Sequence, residues 1–229
     1  FDRLRGRYEQ FASCGAVAGM LARGDEHCPV WSPEQPEELL LRPNYRPVCT
    51  LSESERQRLA QSGVNILQPV RTLRPVTPRT LAGGNTGAAD WKYLPARRLA
   101  LFIVNSIERA TRWVVFESNL PPLRRTVQAQ IETFLAELER DGAFASHGAR
   151  DPWFVICDER FNGPEDVRTG TVNILFGFAA QRAGEHHTYL LTHAPAGSSV
   201  RPVSINRLEA SRRAAEDSPG ESLVQRQAG

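Results

Sequence analysis

Lysine is all but missing from this sequence: Lys92 is the only one, so 27 of the 28 basic side chains are arginine. Acidic residues number 26, which leaves a net charge of +2 over 229 residues. A balance so close to zero gives no electrostatic footprint for nucleic acid. An arginine bias of this kind accompanies a GC-rich coding sequence, and it also offers planar guanidinium groups for bidentate contacts between chains. Cysteine is scarce as well. Cys14, Cys28, Cys49 and Cys157 form no CxxC pair and have no histidine at zinc-finger spacing. That excludes a zinc module and a disulfide scaffold, and reads as isolated thiols in a reducing compartment. Long apolar runs are absent too. The longest covers residues 99–104, far short of the ~20 that a membrane helix needs. The opening FDRLRGRYEQ is charged, with no apolar stretch behind it, so no secretory leader is visible and a cytoplasmic origin is expected.

A content of 41% hydrophobic and 24% charged residues belongs to a chain with a buried core rather than a disordered one. Residues 15–23 (GAVAGMLAR) suit a short helix lined with small side chains. Pro29, Pro33, Pro36, Pro43 and Pro47 then exclude a continuous helix or central strand and predict an ordered loop. Ser52 and Glu55 make a capping box, and Gly63 stands where a glycine ends a helix, which predicts a helix over 53–62. VNILQPVRTL (64–73) reads as a strand interrupted by Pro69, and 80–90 as a glycine-rich loop. Leu99, Phe102, Ile103 and Ile107 carry helical spacing and predict a helix over 97–112.

The β-branched and aromatic WVVFE (113–117) reads as a strand. Prolines 121 and 122 then open a helix over 123–141, striped by Val127, Ile131, Phe134, Leu135 and Leu138 and stopped by Gly142. Strand-like runs at 153–158, 171–179 and 187–193 follow. Residues 194–200 read as flexible chain, and the tail after about Asn206 as a frayed end.

Chemistry-bearing residues are present but do not assemble. His186 and His187 are neighbours, so in a strand they point to opposite faces, and His187 lies about 20 Å from His193 along an extended chain. Gly83-Gly84-Asn85-Thr86-Gly87 lacks the Gly-Lys-Ser/Thr ending of a P-loop and the spacing of a dinucleotide fingerprint. Asp158, Glu159, Glu165 and Asp166 sit in a turn-rich stretch and read as solvated hairpin carboxylates. Cys157 lies in an apolar strand, where a thiolate is disfavoured. No nucleophile, base and orienter come together, which argues against an enzyme.

Several short motifs run in a recognisable order: AVAGMLARGDEHCPVW, TLSESERQRLAQSGVNIL, Arg79 to Leu81, DWKYLPARRL, then Phe116, Glu117 and Asn119, residues 131–142 with Ala143, Phe154 to Asp158, and Gly170 onward. In order and spacing, from about Ala16 to Val203, they resemble the C-terminal half of the contractile-tail sheath proteins of phage tails and bacterial contractile injection systems. Ser118 stands where that family has a proline, and Arg74-Pro75-Val76-Thr77-Pro78 replaces its usual approach to the first long helix.

The resemblance implies an α/β fold. A mixed sheet with two long packed helices would form a sheath C-terminal domain over 79–206. Part of a subtilisin-like sheath domain would precede it over 1–78, and a flexible tail would follow over 207–229. The implied function is mechanical: a subunit that polymerises helically around an inner tube and contracts to drive it into a target cell envelope. The alternative is a cap, collar or baseplate adaptor of the same particle, built on a truncated sheath fold. Implied partners are further copies or sheath paralogues, the inner tube protein, and baseplate or cap proteins, with no nucleic acid, membrane, cofactor, metal or catalytic residue. Assembly in a bacterial cytoplasm, as part of a phage tail or a phage-tail-like particle, is expected.

In that family terminal strands of one subunit add to a neighbour's sheet, satisfying the unpaired groups of an open edge. The candidate donated strand here is His187, Thr188, Tyr189, Leu190, Leu191, Thr192 and His193; an ordinary edge strand within the chain is the other reading. Arg97, Arg98, Arg124 and Arg125 are candidate inter-subunit or tube-facing charges.

Overall fold

The computed structural model describes residues 4–31, 47–70, 72–75, 79–81, 91–144, 151–180 and 186–204. The greater part of the proline-rich excursion, the glycine-rich loop after residue 81, and the tail lie outside them. The chain divides into two compact units, Phe1–Ile103 and Val104–Gly229. The division falls inside a helix.

In the first unit, helix α1 (Cys14–Gly24) buries Met20 against Ala16, Val17 and Leu67. Helix α2 (Glu53–Gln61) is set by local chemistry alone. The Ser52 hydroxyl accepts from the Glu55 amide while the Glu55 carboxylate accepts from the Ser52 amide at 2.8 Å. At the other end Gly63 has φ +78, and Val64 N–H reaches back to Leu59 C=O at 2.9 Å. This closes the last turn through a left-handed residue. Residues 64–73 do not form one interrupted strand. Strand β1 (Leu67–Val70) folds back antiparallel on β2 (Thr72–Pro75), Leu67 opposite Pro75. Pro69 is tolerated because both strands of a two-stranded ribbon are edges, where a missing N–H need not break a ladder bond. Asn65 then ties the chain down, its side chain donating to Arg79 C=O and accepting from Arg79 N–H, both at 2.7 Å.

Helix α3 (Leu94–Ala110) starts three residues earlier than the apolar spacing suggests, because Pro95 fits the first turn. Beyond it the expected strand at 113–117 is instead a 3₁₀ helix, Arg112–Phe116. The amides of Val114 and Glu117 bond to the carbonyls three residues back, those of Thr111 and Val114. Thr111 and Val114 are buried while Trp113 and Phe116 are exposed, a period of three rather than the two a strand requires.

Helix α4 (Pro121–Arg140) opens on two prolines and ends at Gly142, φ +76, with Ala143 N–H bonded to Leu138 C=O at 2.9 Å. Its buried stripe is Val127, Ile131, Leu135 and Leu138, and it packs on strand β3 (Trp153–Ile156). The short helix α5 (Pro164–Thr169) occupies the stretch read as a hairpin turn. Its start is fixed by Asp166 accepting from Gly163 N–H at 2.9 Å.

Strands β4 (Val172–Phe178), β5 (His187–Ala194) and β6 (Gly197–Pro202) complete a four-stranded sheet in the order β3-β4-β5-β6, antiparallel throughout. β4 is buried at all but one position, Phe176 and Phe178 stacking on Tyr189 at 5.8 and 6.0 Å between ring centres. Gly177 lies opposite Phe154, and a Cβ there would come within 2.4 Å of that ring. The α/β class is as expected. The flexible chain expected over 194–200 is instead the turn and second strand of a hairpin, closed by Ala194 opposite Gly197. Gly197 has φ +139, a backbone region that glycine alone enters without strain.

Candidate functional site

The sheet sets what this surface offers a partner. β5 is an interior strand, Val172 to Phe178 pairing along one side and Gly197 to Pro202 along the other. All seven residues from His187 to His193, the candidate donated strand, pair with β4 within the chain, and Tyr189 to His193 pair with β6 as well. Thr188 through Leu191 are all buried, so the strand has two covered faces. Among the described residues the edge strands of this four-stranded sheet are β3 and β6. β6 is exposed at every position but Val200.

Two polar centres hold the second unit together. At the first, Thr111 donates its hydroxyl proton to Ile107 C=O at 2.7 Å, so its oxygen is left to accept from His193 Nε2–H at 2.8 Å. His193 Nδ1 then accepts from the Ser198 hydroxyl at 2.6 Å. This pattern assigns the neutral Nε2–H tautomer. Both Thr111 and His193 are fully buried. Burial holds the His193 pKa below the ordinary imidazole range; nearby Glu108 opposes that shift and Arg112 reinforces it. The Ser198–His193 contact superficially matches a nucleophile and base. The group hydrogen-bonded behind the imidazole is a threonine, however, not a carboxylate, and the ring has no exposure toward a substrate. Its geometry is that of a pin joining the end of α3 to the β5–β6 hairpin.

The second centre consists of three asparagines. Asn162, 2% exposed, donates to Asp158 C=O at 3.0 Å and Asn173 C=O at 2.8 Å, and accepts from Asn173 N–H at 2.8 Å. Asn119 donates to Asn162 Oδ1 at 3.2 Å and Thr171 C=O at 2.5 Å. Asn173 donates to Phe161 C=O and Asp166, and accepts from Thr192. The knot fastens the loops before α4 and α5 to the start of β4. Only Asn119 carried a sequence signal, through its place in the motif with Phe116 and Glu117.

The four arginines differ in their surroundings. The Arg97 guanidinium lies 4.8 Å from the centre of the Trp91 ring, and Arg98 pairs with Asp25. Arg125 is exposed. Arg124 is not a surface charge at all, being 6% exposed. The remaining chemical candidates are separated. His186 bonds to Asp151 C=O at 2.9 Å, away from the His193 pin. Asp158 takes Arg160 at 2.6 Å, and Glu165 takes Arg168 at 2.6 Å. Burial pushes the Cys157 thiol up to about 12, so it stays protonated near neutrality. Gly83 to Gly87 lie outside the described residues. Among the described residues no group of three or more His, Cys, Asp or Glu is placed to hold a metal ion, and no helix is long and apolar enough to cross a membrane.

Neither a protein-family model nor a curated protein matches the sequence. Solved structures do match. A chain of the anti-feeding prophage (AFP) baseplate, 6-fold symmetrised, aligns over 76% of this chain at 24% identity and a TM-score of 0.62. A chain of the PVC sheath complex in its contracted state, from an extracellular contractile injection system, aligns over 74% at 24% identity and 0.61. The chain spans about half the length of each, 48% and 47% respectively. What is shared at this identity is the fold: an α/β arrangement of helices with a four-stranded antiparallel sheet, common to this chain and to part of those two.

Proposed function

We propose that this chain is a structural subunit of a contractile injection particle, a repeating sheath element that packs helically around an inner tube and shortens to drive it into a target envelope. The observation that carries the reading is the fold match, over 74% of the chain, to a component of the contracted PVC sheath complex. The open edges of the sheet support it, since an exposed strand offers N–H and C=O groups that another chain can pair. With β5 interior, strand addition in this reading uses the outer edge of β6. Repeated head-to-tail contacts of this kind build an open helix rather than a closed ring. Contraction then requires two packings of the same subunits. Phe116, 88% exposed, adds a large apolar side chain to the surface available for such contacts. The role is mechanical, without catalysis.

The match to a chain of the AFP baseplate favours a second reading, a cap, collar or baseplate adaptor that ends the lattice instead of extending it. Stoichiometry separates the two. Quantitative mass spectrometry of purified particles of differing length is expected to find copies of this chain rising in proportion to length. A fixed number per particle would replace the sheath reading by the adaptor, and absence from the particles would contradict both.

A further inference from the structure

Buried charge normally comes paired. Among the described residues Arg124 is the one buried side chain that carries a full charge, and its arrangement departs from that rule. Its Nε–H has no hydrogen-bond partner, and its Nη2 reaches only the Asn119 carbonyl, at 3.5 Å. Three more exposed arginines of the same unit are satisfied: Arg112 by Glu108, Arg160 by Asp158 and Arg168 by Glu165. Removing a guanidinium from water without a counter-charge is among the costliest states a side chain can occupy. Position aggravates the imbalance. Arg124 lies near the start of α4, where the aligned peptide dipoles already present positive charge, and the first turn contains no acidic residue. The adjacent Arg125 adds a second cation. Asn119 Oδ1 also lacks a partner, but as an acceptor it does nothing for the missing anion.

We propose that Arg124 is the receptor for a carboxylate, supplied by an acidic side chain of a neighbouring subunit in the assembled particle. The proposal rests on the assembly reading above for the source of the carboxylate, and on this chain's own geometry for the site. A carboxylate is the match because its two oxygens accept from the Nε–H and an Nη–H together, in the bidentate geometry that guanidinium favours. The incoming group also lies at the end of the helix that attracts anions. In the free chain the charge is a liability; in the assembly it becomes half of a desolvated pair. The interface is thereby made specific for an acidic partner.

The free chain provides the first test. Arginine Nε–H signals are followed by NMR while sodium acetate replaces sodium chloride at constant ionic strength, the Arg124 signal being assigned by its loss in Arg124→Met. A saturable shift of that signal is expected, and no shift overturns the site. Thermal unfolding of the free chain gives a second reading. Arg124→Met keeps the length of the stem and removes the charge, so the midpoint is expected to rise; a fall would mean that the charge is already compensated, and would overturn the proposal. The source of the carboxylate is tested by sedimentation of assembling protein. Arg124→Met is expected to lose polymers that Arg125→Met retains. Acetate binding with undiminished Arg124→Met polymers would assign the site to a free anion and overturn the inter-subunit pairing. If wild-type chain fails to polymerise while acetate still shifts the signal, the assembly reading fails and the carboxylate site stands.

Discussion

The two compact units hide their large side chains to very different degrees. Among the described residues, twelve side chains are the largest that are fully buried, and only Leu99 and Ile103 of these belong to the first unit, both on α3. The other ten, from Ile107 to His193, belong to the second. α2 in the first unit has a complete set of caps and no buried residue. β6 in the second is exposed almost throughout, yet is held in register by six pairs with β5. Forming an element and burying it are thus separate achievements. Local signals accomplish the first, and only long-range packing secures the second.

The sharpest way to break this comparison is to empty the two cores. Phe176→Ala removes a fully buried ring stacked on Tyr189 and is expected to cost about 3–5 kcal/mol in urea unfolding. Met20→Ala, with only the partly buried Ala16, Val17 and Leu67 packed against it among the described residues, is expected near the low end for its type, about 2 kcal/mol. Equal losses would mean that the first unit depends on its core as much as the second does.

Next in size is the asparagine knot. Asn162→Ala strands the Asn173 amide and two backbone carbonyls, and a loss of about 2–3 kcal/mol is expected. Asn162→Asp is a finer probe, because a carboxylate accepts from Asn173 N–H but cannot donate to the carbonyls of Asp158 and Asn173. It should fall short of wild type by a measurable part of that loss, and full stability would show that the donated bonds contribute little.

The histidine pin makes stability depend on pH in one direction. Its folded pKa lies below the unfolded value, about 6.5, so the unfolded chain binds the extra proton first. The contribution of His193 is present above that value, declines as pH falls below it, and levels off once the folded-state pKa is passed. Comparing denaturation midpoints across this range in wild type and His193→Gln isolates it; identical slopes in both would show that His193 does not titrate on unfolding. The smallest effect is expected at α2, where Ser52→Ala removes a cap worth about 1 kcal/mol. Because α2 buries nothing, that loss should appear as local fraying in hydrogen exchange rather than as a change in the second unit.

What the sequence made legible follows the same division. Ser52, Glu55, Gly63 and Gly142 announce helix ends because capping is a short-range interaction between residues a few positions apart. The stripes on α3 and α4 are legible because burial imposes a helical period. WVVFE misleads because its residue types suit a strand, whereas the turn that Thr111 begins continues as 3₁₀. APAGSSV misleads in the opposite way: small, exposed residues look flexible until β5 supplies a partner. The asparagine knot was out of reach, since its three members lie in separate stretches and meet only once the loops close on β4. The burial of Arg124 was equally hidden, because nothing in Leu-Arg-Arg-Thr says which guanidinium turns inward.

The proposed role for this chain is that of a repeating part of a contractile cylinder. Immunogold electron microscopy of native particles, with an antibody against this chain, tests it most directly. Gold along the whole length of a striated cylinder, drawing closer together when the cylinder shortens on triggering, is the predicted result. Particles that contract normally and bind no gold anywhere would contradict it.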